Sequence, residues 1–590
     1  MVKSVAIIGA GAAGLSAAAI LAEKGEKMKI TILESRARIG GRIQTTDLFG
    51  VDVVSGSEWV YDDEESSSPS SCLEMGAQWA HNIDAVDHPL KQHIEPSGLR
   101  LSQPEKWNLD SGIHFVAIKE KFPSLSEKDV LETSAWKEVL LAKFVLEYSL
   151  RPDKNKSASA RDIVEGAFSP ENIVRFWDKE HKDHISAPPI PTVALRELAK
   201  WITLEEISNY YGMDASNLSW SGLEDDASVA DMEHKVVQNG YARVLVRLAK
   251  QALSVAHSRP DSDCECQILF HTRVLAVLDK GESIVLRTAR TDTDTNANTS
   301  KAVDTDVDVD GSEMRFDRVI CTLPLGVLQH QHQHPHHDKD KGKGGGEVRW
   351  EPNVPAAVEN SLGRLHMGLL HKTYVFWDSE ADWAKVRIDK RALFPGTGRA
   401  PDESVRIRYP AVPDIGGRAF SFSFVINLDY DGYHGDMTYT NAQTNKQVRS
   451  HGYCFYSSPP SANLAEELGE EVLQRLALLT LQNCQREIAC ANNETSTLTE
   501  STESTEISTT PLPEPSRVLV SSWLNDESSR GAYSSVAPCG ELEDFDMFQE
   551  PAMSGKLHFA GEHCQSLEFG CVHAALSTGE KAAHRVLSGL

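Results

Sequence analysis

Three glycines, one acid and three arginines near the N-terminus have the types and spacing to hold a dinucleotide. Gly9, Gly11 and Gly14 fall between an apolar run, VAII, and a helix-forming stretch, and Glu34 closes the next apolar run, KITIL. In such an arrangement the first glycine permits a tight turn, the second lets backbone N–H groups approach a pyrophosphate, and the third permits close helix packing. Glu34 stands 20 residues beyond Gly14, where a carboxylate accepts from a ribose 2′-hydroxyl. Directly after it, ESRARIGGRIQT sets Arg36, Arg38 and Arg42 around the Gly40-Gly41 turn and offers cations to a diphosphate. A second candidate lies far downstream. Lys372 is flanked by Leu369, Leu370, Tyr374, Phe376 and Trp377, and burial among such residues lowers a lysine's pKa toward a range useful for proton handling. The same aromatic stripe is also what a packed core strand looks like.

To place these residues the chain needs a βαβ unit at its start and further strands behind it. Apolar runs predict strands at Gln267 to Phe270, Ile284 to Thr288, Arg318 to Thr322 and Val518 to Trp523, and the Leu/Ala spacing predicts a helix over Leu464 to Asn483. Alternating strand and helix signals predict an α/β protein. Four segments, 62–71, 291–310, 329–346 and 492–515, have compositions that do not support a packed core and read as surface insertions.

Composition excludes several classes. The net charge of −27 over 590 residues argues against binding nucleic acid through bulk positive charge. At 40% hydrophobic and 25% charged residues the chain is ordinary globular material. The 18 residues from Val5 to Ala22 carry no charge, but their glycines and alanines, without a basic flank or cleavage site, fit neither a membrane span nor a signal peptide. Ten scattered cysteines without a CxxC pair read as reduced thiols of an intracellular protein. No metal is expected. Asp306, Asp308, Asp310 and Gly311 begin like a calcium loop but run into a strand, and the histidines from His330 to His337 read as solvated low complexity.

The run ESRARIGGRIQT resembles the flavin amine oxidase family, in which an acid, two arginines and Gly-Gly-Arg wrap FAD. EMGAQWAH, from Glu74 to His81, is similar to that family's flavin-contacting segment, which assigns Gly76, Ala77, Gln78 and Trp79 to the cofactor and sets His81 near the substrate; in isolation His81 reads as a structural histidine. LHFAGEHCQSLEFGCVHAALSTGEKAA resembles the last FAD segment, which assigns Gly561 and Glu562 to phosphate and ribityl portions. There a helix from Val572 would point its N-terminus at the flavin. Three central matches, at Val236, Phe270 and Asp317, extend the resemblance over nearly the whole chain; by analogy Val274 lies beside the adenine, and Thr322, Pro324 and Leu325 run along the cofactor cavity. SSWLNDESSRGAYSS resembles the segment that packs Trp523 against the flavin, with Ala532 where some members place a cysteine that tethers it, so FAD is expected to be noncovalent. Cys571 replaces an aromatic wall residue of many members, and Ala574 follows His573 where a glycine is usual.

The resemblance implies a Rossmann-type FAD-binding domain (1–90, 235–330 and 550–590) interleaved with an α+β substrate-binding domain (91–234 and 347–549). It also implies that Lys372 holds a water at flavin N5. The activity expected is oxidation of a secondary amine in a polyamine. Hydride leaves the carbon next to nitrogen, water hydrolyses the imine, and oxygen reoxidises the flavin to give hydrogen peroxide. Alternatives are a histone-lysine demethylase and a flavin-binding regulatory protein without turnover. Partners are expected to be a polyamine and oxygen, with no nucleic acid, membrane or obligate protein, and the location cytoplasmic; the tail Ser588-Gly589-Leu590 resembles a peroxisomal address only at its ends.

Overall fold

A computed structural model describes residues 3–54, 72–102, 157–172, 193–220, 234–258, 264–291, 312–333, 348–388, 412–415, 418–429, 437–496 and 511–589. Asp306, Asp308 and Asp310, and the histidines at 334, 336 and 337, lie outside the described residues. The chain divides into two compact units: Met1–Pro104, Ser228–Gly368 and Trp523–Leu590 form one, and Glu105–Ala227 with Leu369–Ser522 form the other.

The first unit is built on a five-stranded parallel sheet. Its order is Leu557–Phe559, Arg318–Cys321, β1 (Lys3–Ile8), β2 (Met28–Leu33) and Glu265–Leu269. Burial on both faces explains why β1 and β2 read as nearly continuous Val/Ile/Leu runs rather than alternating ones. Helix α1 (Ala12–Lys24) is alanine-rich because it is covered on several sides, by the helix Val572–Ser588 and by the helix Ala242–Ser258. Its crossing with Val572–Ser588 is tight: a Cβ on Gly579 would lie 2.2 Å from the Ala13 carbonyl oxygen, and Ser16 Oγ donates to Leu576 O at 3.0 Å. A second sheet, Ser312–Phe316, Ile284–Arg290, Thr272–Asp279 and Arg349–Glu351, is antiparallel except for its last pair.

The second unit contains a four-stranded antiparallel sheet in the order Phe424–Asn427, His451–Ser457, His371–Trp377, Arg517–Val520. Side chains alternate between its faces. Val375, Trp377, Tyr453, Phe455 and Val518 join one hydrophobic cluster with Leu473, Leu476 and Leu481 of the helix Glu470–Ser496.

Several expectations need correction. The helix over Leu464 to Asn483 is two helices, Ser461–Glu467 and Glu470–Ser496, because Gly469 takes a φ of +64° and ends the first. Residues 347–368 and 523–549 belong to the first unit rather than to a substrate domain, since Leu365–Gly368 pairs with Tyr533–Val536. Residues 91–104 and 228–234 are likewise in the first unit. The insertions are shorter than their composition suggested. Gln329 is helical and donates to the carbonyls of Leu362 and Leu365, at 2.9 and 2.6 Å; Thr291 donates to Ser35 O; Pro513 O accepts from Trp377 Nε1. The expected strand Val518 to Trp523 ends at Val520.

Candidate functional site

The glycine turn after β1 is dictated by space. Gly9 has φ +103°, and a Cβ there would come within 2.6 Å of Thr322 Oγ1. A Cβ on Gly14 would strike Gly9 O at 2.1 Å, whereas one on Gly11 would meet only Gly40 O at 3.9 Å, so the turn stays open at Gly11. Helix α1 starts there with no side-chain cap and no acid in its first turn. Its first backbone N–H groups are therefore free of an anionic side chain, the arrangement that suits a pyrophosphate. Glu34 sits at the end of β2, where its carboxylate accepts from the N–H groups of Ala10 and Arg36, both at 2.9 Å.

The arginines wrap the Gly40-Gly41 turn. Arg36 donates to Gly41 O at 3.2 Å and to Asp526; Arg38 donates to Gly41 O at 2.9 Å and faces Asp52. Burial, with the neighbouring Arg36 charge, brings the Arg38 guanidinium down to about 10, while Asp526 overcomes the burial cost at Arg36 and raises it. Arg42 donates to Ala532 O at 3.0 Å and to Glu562 at 2.6 Å.

Around them stand most of the other residues expected at a cofactor. Gly76 is obligatory, because a Cβ would lie 1.9 Å from Arg42 O and 3.0 Å from the Trp523 ring. Ala77 N–H donates to Arg42 O at 3.3 Å, and Trp523 Nε1 to Met75 O at 2.9 Å. Gln78 is buried, with its carbonyl accepting from Val237 N–H, and Trp79 O accepts from the Tyr241 hydroxyl. Val274 is buried two residues after Thr272, whose N–H donates to Glu34 O. Gly561 N–H donates to Thr578 Oγ1, and Cys571 is the cap residue before Val572 opens the C-terminal helix, which also lacks a side-chain cap. His81 ends the strand Trp79–His81, and its carbonyl lies 3.0 Å from His88 Nε2.

Lys372 lies in the other unit, on His371–Trp377, opposite Tyr456. It is 2% exposed, its backbone is held by Ser521 on both sides, and its ammonium stands 5.6 Å from the Tyr456 ring centre. Tyr374 and Phe376 share its face of the strand, and Phe424 stacks on Tyr456 at 4.2 Å. The aromatic stripe of the sequence is thus split, Lys372, Tyr374 and Phe376 to one side and Val375 and Trp377 to the clustered core.

The family model of flavin containing amine oxidoreductases matches residues 12–587. The chain belongs to this family. Its relatives include the corticosteroid-binding protein of Candida albicans, 21% identical over 99% of this chain and 96% of that one. Polyamine oxidase 2 of Arabidopsis thaliana is 22% identical over 98% of this chain and 87% of its own length. A solved structure of putrescine oxidase bound to putrescine covers 99% of both chains with a TM-score of 0.52 at 16% identity, which establishes the amine oxidase fold. FAD is the cofactor of this oxidoreductase, held noncovalently.

The residues present fit FAD. The open turn at Gly11, the uncapped start of α1, the arginine cluster at Arg36, Arg38 and Arg42, and the Glu34 carboxylate suit a diphosphate flanked by ribose hydroxyls. Bound there, FAD supplies the two-electron acceptor chemistry that no side chain of the chain offers. Sequence reasoning passed over the residues that complete the cluster. Asp526 pairs with Arg36; Ser534 donates to Glu562; Glu74 accepts from Thr45 Oγ1 at 2.9 Å and from Tyr241 N–H at 2.6 Å. Asp526 and Ser534 lie some 490 residues from the turn they serve, and no local spacing announces them. Glu74 was within reach, as the acid that opens EMGAQWAH.

Proposed function

We propose that this amine oxidoreductase oxidises a secondary amine within a polyamine such as spermine, spermidine or an acetylated form. In balance, the amine, oxygen and water give an aldehyde, a shorter amine and hydrogen peroxide. The observation that carries the reading is the burial of Lys372 among Tyr374, Phe376 and Tyr456. A lysine withdrawn from water is suited to hold a water or proton during oxidation. The relatedness to a plant polyamine oxidase over nearly the whole chain supports the substrate class. So does the net charge of −27, which raises the local concentration of polycations. His81 is assigned near the substrate on the same reading.

A peroxide-coupled assay over spermine, spermidine, their acetylated forms and a simple monoamine tests this. Turnover is expected for at least one polyamine, with kcat/KM falling as ionic strength rises from about 0.01 to 0.5 M. Turnover of the monoamine alone would overturn the polyamine assignment. The name of the Candida relative supports a second reading, a flavoprotein that binds an apolar ligand. No peroxide from any amine, together with tight corticosteroid binding, would establish that one instead.

A further inference from the structure

The turn from Trp523 to Gly531 is closed on itself and fastened to the glycine-arginine loop. Gly531 N–H donates to Trp523 O at 2.8 Å, the N–H groups of Ser529 and Arg530 donate to Asp526 O, and Asp526 Oδ1 accepts from Ser528 N–H at 2.8 Å. Behind it, a Cβ on Gly326 would meet Arg530 O at 2.4 Å, so the turn has no room to settle further. Its other side reaches the cofactor loop through Asp526, Ser528 and Ser529, and the strand Thr272–Asp279 through Glu527. Arg36 Nη2 donates to Asp526 and, at 3.0 Å, to Ser529 Oγ; Ser528 and Ser35 hydroxyls meet at 3.3 Å; Glu527 pairs with Arg273 at 3.0 Å. With Nη1 on Gly41 O, the Arg36 guanidinium is held at both ends.

Two effects of Asp526 on a diphosphate oppose each other. Its negative charge partly cancels the cation that attracts the phosphates. Against this, a free arginine loses substantial rotamer freedom when it is ordered, and a planar fork already fixed in place loses less. Arg36 also stands beside Arg38, and without Asp526 the like charge would drive it toward solvent. The Arg36 and Asp526 side chains are only 18% and 23% exposed, so neither effect is strongly screened by water.

We propose that Asp526 is a positioning residue for FAD, fixing the Arg36 guanidinium for the diphosphate and clasping the Trp523–Gly531 turn over the cofactor loop. The carboxylate is ionised for this role, since the Arg36 charge overcomes burial and holds it below the usual range. The inference rests on the assignment of Arg36 to the diphosphate.

The test is a double-mutant cycle on the full chain, stripped of FAD and titrated with it while flavin fluorescence is followed. D526N keeps the acceptor for Ser528 N–H and removes the charge. We expect D526N to weaken FAD binding by about tenfold or more, the scale of a lost charged hydrogen bond. R36Q should weaken it too, and D526N added to R36Q should change it by less than about twofold. Unchanged or tighter binding by D526N would show that masking of charge dominates and would overturn the proposal. Equal losses with and without Arg36 would do the same. Unchanged binding by R36Q would instead remove the assignment of Arg36. Should D526N fail to fold, S529A removes the second Arg36 contact together with the long Ser529 Oγ donation to Asp526 at 3.4 Å, and is expected to weaken FAD by a smaller factor, again only when Arg36 is present.

Discussion

The Glu562 carboxylate stands 2.6 Å from Nη1 of Arg42, joining residues 520 positions apart in the chain. Glu562 also accepts from the Ser534 hydroxyl and from Gly570 N–H at 2.9 Å, so the ion pair gathers three separated segments. Burial opposes its ionisation, but Arg42 and the Ser534 hydroxyl prevail and hold the carboxyl below its ordinary range. E562Q is therefore expected to leave Arg42 without its counter-charge. The cost should be about 2 kcal/mol or more, short of the ~3–5 for a fully buried pair, because the Arg42 side chain is 18% exposed. Thermal unfolding of the FAD-free chain measures it, and an unchanged midpoint would reduce the pair to a surface contact.

The helix crossing at Gly579 sets two effects against each other. G579A gains about 1 kcal/mol of intrinsic helix propensity. Its new methyl would lie 2.2 Å from Ala13 O, which forces α1 and the C-terminal helix apart. Steric displacement is expected to win, with a net loss of about 2 kcal/mol or more, read as a lower midpoint in thermal denaturation. A stabilised variant would show that the two helices slide apart freely.

Lys372 tests the chemistry. K372M keeps length and apolar packing while removing the ammonium beside the Tyr456 ring. FAD absorbance is expected to persist while turnover falls by at least about tenfold, as for a lost proton-handling group. Near-normal peroxide production by the variant would confine Lys372 to packing.

Several buried imidazoles make stability depend on pH. Burial drives His88, His93, His558 and His563 down to about 4 and His371 to about 3. Each is depressed in the folded state, so the unfolded chain takes up protons first as the pH falls below about 6.5. Their contribution is full above that value and is lost progressively as the pH drops toward 4. The thermal midpoint is expected to fall steadily between pH 6.5 and 4.5. H93Q keeps an acceptor for Arg247, whose Nη1 lies 3.0 Å from His93 Nδ1, and should flatten that slope. An identical slope in the variant would exclude His93 from the titration.

What the sequence made readable was local. Gly9, Gly11, Gly14 and Glu34 declare themselves because a strand, a turn and a helix must follow one another at fixed offsets, and the structure sets all four around one turn. The arginines' partners Asp526 and Glu562, and Ser534 behind Glu562, were unreadable, since they arrive from strands and turns whose neighbours are fixed only by the sheet order. Gly469 was misjudged for a related reason. A glycine within an apolar helical pattern is tolerated by propensity alone, and only its left-handed backbone shows that the chain turns there. Composition overestimated the insertions because Gln329, Thr291 and Pro513 are polar or breaking residues whose bonds to the core no composition records.

The order of the parallel sheet has a consequence for biosynthesis. β1 leaves the ribosome well before the strands on one side of it, since Arg318–Cys321 follows about 310 residues later and Leu557–Phe559 later still. At cellular elongation rates the roughly 310 residues between β1 and Arg318–Cys321 take about a quarter of a minute to a minute to make. For much of that time the nascent sheet exposes an unpaired, apolar edge along β1, the kind of surface that recruits other strands. Tight chaperone engagement during translation, and aggregation of chains truncated before residue 557, follow from the topology alone.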